Sequence, residues 1–70
     1  MKAEEIRALS TDEILSRIDE AREELMNLRF QQATGELVDF TQIRITRRLI
    51  ARFQTILKER EKESALEGEA

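Results

Sequence analysis

The stretch Gln32-Ala33-Thr34-Gly35-Glu36-Leu37-Val38-Asp39-Phe40-Thr41-Gln42-Ile43 contains a helix stop followed directly by a helix start. Glycine accepts the left-handed backbone that a helix C-cap needs, so Thr34-Gly35 ends whatever helix precedes it. Asp39 is a favourable N-cap with Gln42 three residues on as its partner, and Val38 is placed to staple against Ile43. A second helix is therefore expected to begin near Phe40. A link of about five residues makes the two helices antiparallel neighbours. The fold class expected is all-α: a coiled-coil-like antiparallel two-helix hairpin.

Upstream of the turn the same start signal recurs. Ser10 and Glu13 have the spacing of a capping box, and Leu9 can staple against Ile14, which places the first helix over residues 11–34. Within it Ile14, Ile18, Ala21, Leu25, Leu28 and Gln32 recur at alternating steps of four and three, a heptad seam that Leu15, Met26 and Ala33 would widen on one side. Downstream, Ile43, Thr46, Ile50, Phe53 and Leu57 repeat the pattern, with Ile45, Leu49 and Ile56 extending it, and predict a helix over 40–61. Residues 2–8 are expected to form a short separate helical turn that lays Ile6 and Leu9 on the hairpin. From residue 62 to 70 periodicity is lost and acids accumulate, so an acidic, disordered tail is expected there. The domain boundary thus falls at residue 61.

Composition excludes several kinds of chemistry. The 70 residues include no Cys and no His, which removes disulfides, thiolate nucleophiles, the commonest metal ligand and the commonest general base. The two glycines, Gly35 and Gly68, are too far apart to build a phosphate-cradling loop. Adjacent acids such as Glu4-Glu5, Asp19-Glu20 and Glu23-Glu24 point about 100° apart on a helix, with no concave scaffold to bring them together. No enzyme, metal or cofactor is expected, and no small-molecule substrate. The longest apolar run, Leu49-Ile50-Ala51, is far short of the roughly 20 residues that span a bilayer, and Glu4 and Glu5 spoil a secretory signal. A soluble cytoplasmic location, away from membranes, is the expectation.

A net charge of -3 argues against a nucleic-acid partner only if the charge is uniform, and it is not. Residues 1–34 hold five basic and eight acidic side chains, residues 35–60 six basic and three acidic, and residues 61–70 one basic and four acidic. Between residues 41 and 58 there is no acid, while Arg44, Arg47, Arg48, Arg52 and Lys58 fall within an arc of about 140° opposite the apolar seam. A solvated helix face would present such a stripe too, but it normally mixes signs. Here Arg44/Arg48 and Arg48/Arg52 repel at four-residue spacing. Arginine's forked donors suit phosphate, and Ala51, Gln54 and Thr55 leave room for close approach. A polyanion is the expected partner of this face. The alternative is a self-associating hairpin module, in which the acidic outer face of the first helix, carrying Asp12, Asp19, Glu20, Glu23 and Glu24, pairs with the basic stripe of another copy. Phe53 belongs to the seam and to the core; Phe30 flanks the seam beside Met26 and Ala33, and Phe40 sits in the turn.

Three segments together resemble one family. They are Met1-Lys2-Ala3-Glu4-Glu5-Ile6-Arg7, Leu28-Arg29-Phe30-Gln31-Gln32-Ala33-Thr34-Gly35-Glu36-Leu37, and Ile43-Arg44-Ile45-Thr46-Arg47-Arg48-Leu49-Ile50-Ala51-Arg52. In this order and spacing they are similar to bacterial large-subunit ribosomal protein twenty-nine, over residues 1 to about 61. The resemblance implies a structural hairpin that binds large-subunit ribosomal RNA near the rim of the peptide exit tunnel, beside ribosomal protein twenty-three and close to factors that meet the nascent chain. It also implies a ribosomal, cytoplasmic setting and a role in translation. By motif match Arg44, Arg47, Arg48 and Arg52 would be the main phosphate contacts, joined by Arg29, Gln31 and Thr34 near the turn and by Lys2. The chain departs from the family in having Phe40 where a proline often opens the second helix, and in the acidity of its first helix and tail.

Overall fold

A computed structural model describes residues 1–36 and 39–69. Three helices follow in order: α1 (Ala3–Arg7), α2 (Thr11–Thr34) and α3 (Thr41–Glu69). α2 and α3 pack side by side as an antiparallel hairpin, and α1 folds back onto α3 at the open end. The result is a rod of 54 × 18 × 15 Å.

Each boundary has a local cause. Ser10 adopts extended backbone, and its Oγ accepts from the Glu13 N–H at 3.1 Å, satisfying one of the free donors of the first turn of α2. At the other end Gly35 takes φ +79, and the Glu36 N–H donates back to the Gln31 carbonyl at 2.9 Å, the longer bond of a Schellman motif. Asp39 Oδ1 accepts from the Thr41 N–H at 2.9 Å and starts α3, so the cap forms although no proline fixes the first helical φ. Phe40 is left in the turn. The expected staple of Val38 on Ile43, and Leu37 beside it, lie outside the described residues.

The core is at the open end. Ile6, Ile14, Ile18, Phe53 and Ile56 form one buried cluster, against which Ala3, Leu9, Leu49 and Leu57 pack. Ile6 and Ile14 are fully buried. Burying one such side chain contributes about 1.5–3 kcal/mol, so the isoleucine that α1 inserts is a substantial part of what holds it to the hairpin. Ala21, Thr46 and Ile50 continue the seam toward the turn, with Leu25, Leu28 and Ile43 half-buried.

The seam is narrower than its pattern predicts. Leu15, Met26 and Ala33, expected to widen it, are exposed, as are Gln32 and Ile45. Two helices in contact cover only a narrow stripe of each other, and a wider stripe is buried only where a third element lies against it. α1 supplies that element on the flank of Leu49 and Ile56, which are covered. Nothing among the described residues covers the flank of Met26 and Ala33.

The C-terminal boundary also differs. α3 passes the expected end at 61 and continues to Glu69 in place of an unstructured tail. Amphipathic periodicity reports burial, whereas backbone helicity needs only good helix formers, and Glu61, Lys62, Glu63, Ala65, Leu66 and Glu67 are mostly that. Glu59 with Lys62 and Lys58 with Glu61 also have attractive three-residue spacings. Leu66, on this extension, is exposed.

Candidate nucleic-acid interface

The basic face forms because the apolar seam of α3 is committed to α2 and α1, which turns the opposite side outward. Arg44, Arg47, Arg48, Arg52 and Lys58 are all exposed. Arg44, Arg47 and Arg48 line, together with Ala51, a shallow depression of about 310 Å³. The one salt bridge among the described residues joins Arg7 to Glu59 at 3.7 Å, so no carboxylate among them pairs with these arginines. The Thr55 hydroxyl, which lies between the basic positions, donates to the Ala51 carbonyl at 2.9 Å and so is turned to the helix backbone.

Arg52 is held differently from its neighbours. Its Nη1 donates to the Met1 carbonyl oxygen at 2.8 Å. A guanidinium has five N–H donors, so the bond orients the side chain and leaves donors for a phosphate. Lys2 follows directly on that carbonyl, and it stands exposed at the N-cap of α1. The chain start and the stripe are thereby brought together.

The turn-proximal candidates are not brought together. Arg29, Gln31 and Thr34 are exposed, but on α2 Arg29 and Gln31 point about 160° apart. Thr34 Oγ1 donates to the Gln31 carbonyl at 3.1 Å, which is a helix-end contact. One flat partner cannot meet all three.

Charge at the start of α3 is also set by local geometry. The Thr41 side chain and its backbone N–H donate to Asp39 and hold its carboxyl below the ordinary aspartate value. It therefore stays anionic as a cap, and it is the nearest acid preceding the stripe.

Arg60 was not singled out by the sequence reading, yet it ties the molecule together. Its Nη2 donates to the carbonyls of Arg7 at 3.1 Å and Leu9 at 2.7 Å, and its Nη1 to Thr11 Oγ1 at 3.1 Å. One side chain thus caps the end of α1, spans the link and reaches the start of α2. The signal was present: Thr46, Ile50, Phe53 and Leu57 lead, at the next heptad step, to residue 60. A charge at a seam position looks like an interruption until backbone carbonyls are found there to receive it.

No group of acids that could hold a metal ion occurs among the described residues, and no described helix is long and apolar enough to cross a membrane. Residues 4–60 match the family described as Ribosomal L29 protein. The chain belongs to that family. A relative named large ribosomal subunit protein uL29 from Lactobacillus delbrueckii subsp. bulgaricus is 54% identical over 63 residues, covering 90% of this chain and 97% of the relative. Proteins of the same name from Staphylococcus aureus (strain JH9) and Staphylococcus carnosus are 52% identical over 65 residues, covering 93% of this chain and 94% of each relative. The ribosomal L29 match ends at residue 60, so the last turns of α3 lie beyond it. Arg60, the clasp on α1, is the last residue within it.

Proposed function

We propose that this chain binds large-subunit ribosomal RNA through the outward face of α3, with Arg44, Arg47, Arg48, Arg52 and Lys58 as the principal phosphate contacts and Lys2 at the edge of the same surface. As a member of the ribosomal L29 family the chain is a structural constituent of the large ribosomal subunit, supporting translation and not performing catalysis. The observation that carries the reading is a run of exposed arginines with no acid among them and no ion pair to any described residue. Like charges held four residues apart on one helix are a cost that a polyanion converts into binding.

The finer setting rests on the family resemblance: a place near the peptide exit tunnel, in the cytoplasm, beside ribosomal protein twenty-three and within reach of nascent-chain factors. Arg29, Gln31 and Thr34 are secondary contacts in this reading, used one or two at a time because they do not share a face.

Phosphate neutralisation releases counterions, so affinity for a large-subunit rRNA fragment falls steeply with salt. The log-log slope expected is about -3 to -4 for four or five phosphates. Reversing Arg44, Arg48 and Arg52 to Glu should abolish cosedimentation with the large subunit and flatten that slope. Unchanged cosedimentation of the reversed variant overturns the reading.

A further inference from the structure

α1 and α3 run in the same direction, since Arg52 reaches the Met1 carbonyl before α1 begins and Arg60 reaches the Arg7 carbonyl where it ends. A groove of about 200 Å³ lies between them. Its middle is built from Ala3, Ala51, Thr55 and Ile56. The Thr55 hydroxyl already donates to the Ala51 carbonyl, so this stretch presents small, mainly apolar surface. The charged groups stand at the two ends, Arg52 at one and Arg7 with Glu59 at the other. From residue 52 to 59 is about 10 Å at 1.5 Å per residue. Clefts that hold a whole small molecule start at about 300 Å³, so this one has room for a single ring system.

Both ends are set before any ligand arrives. Arg52 is held by the Met1 carbonyl at 2.8 Å, and Arg7 pairs with Glu59 at 3.7 Å. A planar ring with a polar edge suits such a groove: guanidinium groups stack on aromatic faces, the small side chains allow close approach, and the Glu59 carboxylate accepts from N–H donors. The groove also continues the arginine stripe. Residues 44, 48, 52, 55 and 59 recur at helical steps along one side of α3, and Ala51 lines both the groove and the depression of Arg44, Arg47 and Arg48. A strand whose phosphates lie on the stripe carries its bases to the groove, while Glu59 repels a phosphate from the groove itself.

We propose that the groove between α1 and α3 receives one unpaired nucleobase of the bound RNA, stacked on the Arg52 guanidinium, with Glu59 accepting from the amino group of an adenine, cytosine or guanine. Uracil has no amino group and is disfavoured. The proposal rests on the ribosomal RNA reading and adds to it a contact that discriminates between bases, which phosphate contacts do not.

The test probes the full chain on a large-subunit rRNA fragment with dimethyl sulfate and kethoxal, which report accessible adenine, cytosine and guanine edges. One unpaired base should be protected by the parent chain. Thr55→Leu fills the groove and touches no arginine, so it should restore that base's reactivity and weaken binding at least about fivefold, with the salt slope unchanged. Replacing the protected base by uracil should weaken the parent at least about fivefold and leave Glu59→Ala indifferent, an arm that does not depend on how the Thr55 variant folds. Salt-dependent binding with no protected base, protection that survives Thr55→Leu, a slope that falls with it, or a uracil fragment bound as tightly by the parent overturns this proposal alone. Parent binding that is indifferent to salt overturns the ribosomal RNA reading and this proposal with it.

Discussion

The two ends of the hairpin are built from similar sequence and behave differently. At the open end Ile6, Ile14, Ile18, Phe53 and Ile56 are sealed from water by three helices. At the turn end Leu25, Leu28 and Ile43 are only half-buried, and Met26, Phe30, Phe40 and Ile45 are half or more exposed. Apolar residues are equally available at both, so the difference lies in geometry. Two helices shield a single stripe, and α1, only five residues long, converts that stripe into a closed core where it lies. Stability is therefore concentrated at one end, and the other end is left with apolar surface for contact.

The strongest way to break this contrast is to cut into the core. Phe53→Ala should cost about 3–5 kcal/mol and Ile6→Ala about 2–5 kcal/mol in urea denaturation. A single core of this size rarely supplies more than about 3–5 kcal/mol, so the Phe53 variant should be largely unfolded when free. Phe30→Ala, at the other end, should stay within about 0.5 kcal/mol of the parent. Equal losses at both ends would mean that the turn end is buried too.

A smaller effect isolates the clasp. Arg60→Met keeps an apolar stem on the seam but removes the donors to Arg7, Leu9 and Thr11, and should cost about 1–3 kcal/mol. Hydrogen exchange locates the loss: amides of α1 and the first turn of α2 should exchange faster while those of residues 21–30 barely change. A uniform rise along the rod would show that α1 is not a separately clasped unit.

At the turn the expected loss is smaller again. A Cβ on Gly35 meets no atom within 4 Å, so Gly35→Ala tests the backbone alone. Holding alanine at positive φ should cost about 1–2 kcal/mol, read as a lowered thermal midpoint. The smallest effect belongs to Asp39. Its carboxyl is held below its ordinary value of 3.8 by Thr41, so its contribution is complete above that pH and disappears as pH falls through the lower folded value. Carbon-detected titration should show Asp39 as a low-titrating carboxyl, and Asp39→Asn should remove that part of the acid dependence.

The charge reading and the core reading differed in how far the chain alone could take them. An acid-free run of five basic residues on one arc requires only helical geometry, and it appears intact on the surface. The extra flank residues could not be sorted in the same way. Ile56 and Ile45 are alike in type and both lie beside the seam, yet one is buried and the other half exposed. Both lie on one flank, and which stretch of it α1 would cover is not written in either helix. Arg52 and Arg60 make the same point for charge: both are arginines of α3, and one presents spare donors at the surface while the other spends its donors on the carbonyls of the α1–α2 link.

Local signals were sufficient for the helices, their starts at Ser10 and Asp39, the stop at Gly35, the antiparallel pairing and the separation of basic from apolar faces. Each depends on interactions within a few residues or on the fixed 100° turn of a helix. Only the packed molecule decided which seam positions are dry, that Arg60 clasps α1, and that the Met1 carbonyl orients Arg52. Those outcomes join residues about fifty positions apart, and periodicity along one helix carries no information about which backbone carbonyls another segment will bring to it.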